Sequence, residues 1–188
     1  MIYCPELVIE GEEDVYPPSE DSILLIESLD VKKGEHIIEI GCGSGVVSIH
    51  CAVNGCVVTS VDINPLAVKC TRKNAYLNGV NINVYWSNLF ENVNEVFDTI
   101  VFNLPYLPVD EEGELAKAWS GGKDGINLLL RLMSDCGKYL NPGGRVVVVV
   151  SSLMNQEKLN ALLSGYKVIK KGELPLFFER LEVLEIIP

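Results

Sequence analysis

Apolar positions along the chain fall into runs of two alternating kinds. After a polar, proline-containing stretch (residues 1–18), Ser19 stands as an N-cap candidate, and Ile23, Leu24, Leu25, Ile26 and Leu29 recur at helical spacing. Lys33-Gly34 marks a turn. Residues 36–40 predict a short strand, and residues 46–53 a helix stopped by Asn54-Gly55. Residues 57–63 predict a second strand. Pro65 suits the first turn of a helix reaching Leu77, which Asn78-Gly79 ends. Residues 82–86 predict a third strand, and the β-branched and aromatic residues 99–102 a fourth, buried one. Residues 107–125 form a long charged loop with several glycines, and loops of such length are more often functional than idle. A helix over 126–140 follows, then a turn at Asn141-Pro142-Gly143-Gly144. A strand over 145–151 holds five consecutive valines, and a helix covers 155–163. Strands over 166–174 and 180–187 are joined by so short a link that they are expected to pair antiparallel.

Strands alternating with helices imply a parallel sheet covered on both faces. Right-handed crossovers place the first four strand ends on one rim, where open α/β sheets bind ligands. At 188 residues the chain is expected to be one domain, with residues 1–30 an entry segment and helix and no separate substrate domain. A net charge of −11 argues against tight nucleic-acid binding, which leans on Lys and Arg. No apolar run nears the ~20 residues that span a bilayer, and residues 1–10 lack a secretory pattern. A cytoplasmic location is the expectation. Six cysteines at Cys4, Cys42, Cys51, Cys56, Cys70 and Cys136 show no zinc-ligand spacing and read as small buried hydrophobes. His36 and His50 read as structural, so no Ser-His-Asp or Cys-His device is on offer.

The candidate chemistry lies at strand ends. Gly41-Cys42-Gly43-Ser44-Gly45 joins a strand to a helix, so backbone comes close to a ligand and free helix N–H groups are presented. A glycine turn serving only helix–sheet packing is the bland alternative. Asp62 closes the next strand, where an acidic residue grips ribose hydroxyls in nucleotide folds. Its alternative is a helix N-cap ahead of Pro65. Asn103-Leu104-Pro105-Tyr106 ends the fourth strand. Pro105 forces the chain out of the sheet. Asn103 offers an acceptor beside a donor and Tyr106 a flat face, a pair suited to a planar amide. A plain strand-ending turn is the alternative.

The G-x-G-x-G spacing behind Glu39 resembles class I S-adenosylmethionine-dependent methyltransferases rather than a dinucleotide site. Asn103-Leu104-Pro105-Tyr106 resembles the N-P-P-Y signature of their amino-methylating members, with Leu104 in place of the first proline. Asp14-Val15-Tyr16-Pro17-Pro18-Ser19-Glu20-Asp21-Ser22, Val61-Asp62-Ile63-Asn64-Pro65 and Trp119-Ser120-Gly121-Gly122-Lys123-Asp124-Gly125 narrow the likeness to HemK-type protein-glutamine methyltransferases, in the short archaeal and eukaryotic form. The resemblance covers residues 14–150. It implies a Rossmann-like, seven-stranded, mostly parallel sheet in the order 3-2-1-4-5-7-6, helices on both faces and the last strand antiparallel. S-adenosylmethionine is the implied cofactor, held by Ser22, Glu39, Gly41, Gly43, Asp62, Ile63, Asn88, Leu89 and Asn103. Asn88 stands where the family usually has an acid near the adenine. Asn103 and Tyr106 are the implied catalytic pair, and Asn103, Leu104, Pro105, Tyr106 and Leu107 the implied substrate contacts. The implied reaction methylates a glutamine amide, in the Gly-Gly-Gln loop of a class 1 translation release factor. A nucleic-acid amino-methyltransferase, a protein lysine methyltransferase and a non-enzymatic adenosine-ligand module are the competing readings. The uncharged segment 82–86 becomes a sheet edge in this order, where the resemblance places a small zinc-binding activator protein.

Overall fold

A computed structural model describes residues 1–104 and 126–188. The described strands are β1 His36–Ile40, β2 Val57–Asp62, β3 Asn83–Trp86, β4 Phe97–Asn103, β5 Leu140–Ser151, β6 Lys167–Pro175 and β7 Arg180–Ile187. The described helices are α1 Glu20–Ser28, α2 Val46–Val53, α3 Pro65–Leu77, α4 Asn127–Asp135 and α5 Gln156–Leu163. The sheet order is β3-β2-β1-β4-β5-β7-β6, as expected. Neighbours from β3 to β5 pair parallel, and β7 runs antiparallel to both β5 and β6. No helix among the described residues is long and apolar enough to cross a membrane.

The valine run shows why the sheet is buried on both faces. Val146, Val148 and Val150 join one core with Ile38, Ile100, Phe102 and, from α4 and α5, Leu129, Leu132 and Leu159. Val147 and Val149 join the other with Ile37, Val101 and, from α1 and α2, Leu25, Ile26 and Val47. Strict alternation along each strand sends successive side chains to opposite faces, so a strand covered by helices on both sides is apolar throughout.

Three expectations are corrected. The helix expected over 126–140 ends at Asp135, passes through a 3-10 turn at Cys136–Lys138, and gives way to a strand beginning at Leu140. Phe97 N–H donates to the Tyr139 carbonyl at 2.9 Å, and Phe97 pairs with Leu140. The bond draws the segment into the sheet, and Tyr139 stacks on Phe90 at 4.3 Å. The turn expected at 141–144 is therefore an irregularity inside β5. Gly144 is required there, since a Cβ would lie 2.9 Å from the Asn141 carbonyl oxygen. Ser19 does sit at the α1 N-cap but makes no side-chain cap bond; its hydroxyl donates to Glu20 instead.

The third correction concerns β3. It is an edge strand, as expected, but not a bare one. Ser87 N–H donates to the Asp62 carbonyl, so the alternate residues Val84 and Trp86 turn their backbone groups outward. Arg72 of α3 donates through Nε and Nη2 to the Val84 carbonyl. Asn92 donates to the Trp86 carbonyl at 3.2 Å. Protection comes from side chains outside the segment, which the strand's own composition does not reveal.

Candidate active site

Register places the site. Ile40 pairs with Val61 on one side and Phe102 on the other. The next residues, Gly41, Asp62 and Asn103, therefore leave three adjacent strands at one level of the carboxyl rim. Asp62 and Asn103 are separated by two strand spacings, about 10 Å.

The glycine loop is shaped by what crowds it. Gly41 has φ +68, and a Cβ there would lie 3.1 Å from the Phe102 ring. Gly45, the α2 N-cap with φ +80, leaves 2.7 Å between an added Cβ and Thr71 Cγ2. Only glycine meets both demands. Glu39 is buried beneath the loop. Its Oε2 accepts from Ser48 N–H at 2.9 Å and from the Ser48 hydroxyl, satisfying one free amide of the first turn of α2. Burial pushes the Glu39 carboxyl up to about 8 against those bonds, and the Asp62 charge adds to the rise.

Asp62 is not the helix cap. That role belongs to Asn64, whose Oδ1 accepts from Leu66 N–H at 2.9 Å. Asp62 Oδ1 accepts from Asn64 N–H at 2.8 Å and Oδ2 from Gly43 N–H at 2.9 Å. The carboxylate thus ties the second strand end to the glycine loop. Burial raises its pKa, opposed by those backbone donors. Each oxygen keeps a further lone pair for a hydroxyl donor.

The remaining expected residues surround this centre. Ile63 gives its carbonyl to the Trp86 indole N–H at 2.7 Å. Asn88 accepts from Arg131 Nη2 at 3.2 Å, which turns its oxygen toward the guanidinium and leaves its amino group as donor. Leu89 has φ +52, a left-handed conformation uncommon for leucine. Ser22 is buried and donates to Asp21, so its contacts are local. Leu104 is buried and its side chain belongs to the core. Asn103 Oδ1 is buried and finds no hydrogen-bond partner among the described residues. Pro105, Tyr106, Leu107 and the segment Trp119 to Gly125 lie outside the described residues.

Three residues at the glycine loop escaped the sequence reasoning. Tyr16 lies over the loop, its carbonyl 3.4 Å from where a Gly43 Cβ would stand, and its hydroxyl donates to Asp21 at 3.0 Å. Burial and the Asp21 charge push that hydroxyl up to about 12, which keeps it a donor. Thr71 donates to the Gly43 carbonyl at 3.0 Å. Asn74 donates to the Ser44 carbonyl at 2.9 Å. Thr71 and Asn74 lie one turn apart on the buried face of α3, and polar residues at helical spacing among Ala67, Cys70 and Ala75 were the available signal. His50 is structural, as expected: it accepts from Cys4 N–H and stacks on Tyr3. The six cysteines are free, and no group of three potential metal ligands occurs among the described residues.

A sheet in this order, with a glycine loop after β1, a carboxylate closing β2 and an amide closing β4, defines a class I methyltransferase architecture. The chain belongs to the methyltransferase small domain family, which matches residues 19–174. It is 44% identical over 178 residues to the "Putative protein N5-glutamine methyltransferase MJ0928" of Methanocaldococcus jannaschii, covering 91% of this chain and 90% of that one. Human "Methyltransferase HEMK2" is 33% identical, covering 78% and 76%. The "Release factor glutamine methyltransferase" of Geobacter sulfurreducens is 29% identical, covering 70% of this chain and 51% of its own length. Among solved structures, the E. cuniculi Mtq2–Trm112 complex, described as methylating the eRF1 translation termination factor, superposes with a TM-score of 0.73 at 22% identity, covering 93% of this chain and 98% of that one. At that identity the likeness is one of fold.

Proposed function

We propose that this chain methylates the side-chain amide nitrogen of a glutamine, in the Gly-Gly-Gln loop of a class 1 translation release factor, with S-adenosylmethionine as donor. The carrying observation is Asn103 Oδ1, a buried acceptor at the end of β4 with no partner among the described residues. Leaving such a group unpaired costs about 1–3 kcal/mol, and a substrate amide hydrogen satisfies it. The relatives' names support the same chemistry.

S-adenosylmethionine supplies an electrophilic methyl group on a sulfonium. Gly41 and Gly43 give it close backbone approach, and Asp62 accepts from its ribose hydroxyls. Ile63, Asn88 and Leu89 flank its adenine, the Asn88 amino group serving as donor. Glu39 holds α2 and the loop from below, and Ser22 fixes Asp21, the acceptor for the Tyr16 hydroxyl of the entry segment. An amide nitrogen is a poor nucleophile because its lone pair is delocalised into the carbonyl. Asn103 Oδ1 takes one amide hydrogen and the backbone carbonyl of Leu104 or Pro105 the other, so the lone pair is aimed at the methyl carbon. Two acceptors also stabilise positive charge growing on nitrogen. Tyr106 and Leu107 are the remaining substrate contacts in this reading. No base need act before transfer, which suits a site without a catalytic histidine.

A small zinc-binding activator on the outer edge of β3 is part of this reading, supported by the Mtq2–Trm112 assembly. Such a partner has to replace the Arg72 contact to Val84.

The test is transfer of labelled methyl from S-adenosylmethionine to purified release factor, with and without the activator homologue. Label is expected in the protein, lost when the Gly-Gly-Gln glutamine becomes alanine, and absent from RNA and DNA. Saturable labelling of RNA with no protein product overturns the proposal.

A further inference from the structure

The bend between β6 and β7 has no role in the chemistry above, and its residues contradict its surroundings. Pro175 pairs with Arg180, and Leu176 N–H donates to the Glu179 carbonyl at 2.7 Å, so Phe177 and Phe178 alone make the turn. So tight a hairpin bend ordinarily takes Gly, Asn or Asp with positive φ. Here both residues are Phe, and neither has positive φ. They are 92% and 85% exposed, with rings at right angles and centroids 4.5 Å apart. Leu176 beside them and Leu153 after β5 are also exposed.

The hairpin base is fastened to the end of β5. Ser152 N–H donates to the Arg180 carbonyl and Arg180 N–H to the Ser152 hydroxyl, both at 2.9 Å, and the Ser151 hydroxyl donates to Glu179. Two solvent-facing aromatics on a braced turn are a prepared contact rather than a loose end.

Register says where that contact points. Asn103 pairs with Val149 and Val149 with Val183, so Val183 stands level with Asn103, about 10 Å away across two strands. β7 approaches from the tip, and Phe178 precedes Val183 by five residues, which lifts the aromatics about 15 Å above the site floor on the same rim. A free glutamine or a short loop bound at Asn103 does not reach that far. The body of a protein whose loop enters the site does, since each side of a typical interface covers about 800 Å². The four residues from Pro175 to Phe178 carry no charge in a chain of net charge −11, so the tip is a neutral landing patch on an acidic surface.

We propose that Phe177 and Phe178 are the anchor by which the release factor body docks, filling an apolar depression on the domain that bears the Gly-Gly-Gln loop. The inference rests on the function proposed above and adds the recognition element that it lacks. Exposed aromatics of this kind dominate binding energy at protein interfaces.

The test uses the full chain with Phe177→Ser and Phe178→Ser together, full-length release factor, and a short peptide carrying the Gly-Gly-Gln sequence. The double variant is expected to raise KM for release factor at least tenfold, with kcat at saturation, KM for S-adenosylmethionine, KM for the peptide and melting temperature unchanged. Wild-type chain that methylates release factor, beside a double variant of unchanged KM, overturns the docking proposal alone. Wild-type chain that labels no release factor overturns the underlying function and the docking with it. A wild-type dimer dissolved by the double substitution, with KM unmoved, assigns the tip to self-association and also overturns the proposal.

Discussion

Asp62 and Asn103 leave the strands on either side of β1 at one level, yet their partners differ. Both Asp62 oxygens are engaged by backbone N–H groups of the cofactor loop and of the α3 entry. Asp62→Ala is expected to weaken S-adenosylmethionine binding about tenfold or more, the scale of a charge-assisted bond worth roughly 1.5–3 kcal/mol, as read by titration calorimetry. Asn103→Ala removes an acceptor that has no partner among the described residues and that the proposed mechanism assigns to the substrate amide. It is expected to lower kcat by about 10²–10³-fold, the scale of one lost transition-state hydrogen bond, while calorimetry shows cofactor affinity retained. Unchanged turnover reduces the tetrapeptide to a turn. Glu39 gives a pH signature. Burial pushes its folded pKa up to about 8, well above the ordinary carboxylate range. The folded state therefore binds the proton more tightly, and the group's stabilising contribution is present below the unfolded pKa and lost as pH rises through the folded one. Denaturant unfolding between pH 5 and 8.5 is expected to show stability falling with pH in wild type, with a flatter curve for Glu39→Gln, which keeps an acceptor for Ser48. Parallel curves refute the assignment.

At the scale of elements, α3 binds the entry segment to the glycine loop. Asn74 is fully buried. Its Oδ1 accepts from Glu10 N–H and its Nδ2 donates to the Glu10 and Ser44 carbonyls. One turn on, Asn78 repeats the pattern with Val8, accepting from its N–H and donating to its carbonyl, and it also donates to the Asn74 carbonyl at 2.7 Å. Each carboxamide thus stands in for a strand partner, and the extended segment is held as a ladder along a helix. Asn74→Ala removes the donor to the buried Ser44 carbonyl, the acceptor of Glu10 N–H and one of two donors to the Glu10 carbonyl. It is expected to cost about 2–3 kcal/mol of stability and to weaken cofactor binding through the loop. Asn78→Ala, at the exposed end, is expected to cost about 0.5–1 kcal/mol and to leave cofactor affinity alone. Thermal melts and calorimetry on both variants check the contrast, and equal effects on cofactor affinity remove the coupling.

Across the whole molecule, what sequence could reveal was set by how local the cause is. Strand and helix runs, the Asn54-Gly55 stop and the Pro65 start depend on neighbours a few residues away, and those elements stand where expected. The end of α4 depends on Phe97 pairing with Leu140, a contact across the sheet, and the expectation missed it. The placement of Gly41, Asp62 and Asn103 at one level of the rim was legible because it follows from the order of strands and helices. Tyr16, Thr71 and Asn74 were not, since their importance lies in contacts spanning 27 to 64 residues of chain. The Arg72 guard on β3 escaped for the same reason. The reversal of β7 carries a consequence for variation. A fully parallel sheet would return each strand through a crossover on its face, and no bend would rise from the rim beside the last strands. Because β7 turns back, the β6–β7 connection is a hairpin braced at its base on β5, whose tip can lengthen, shorten or change while the register of β1 to β5, and with it the placement of Gly41, Asp62 and Asn103, stays fixed. The rim that carries Gly41, Asp62 and Asn103 and the β6–β7 tip can thus vary independently of one another.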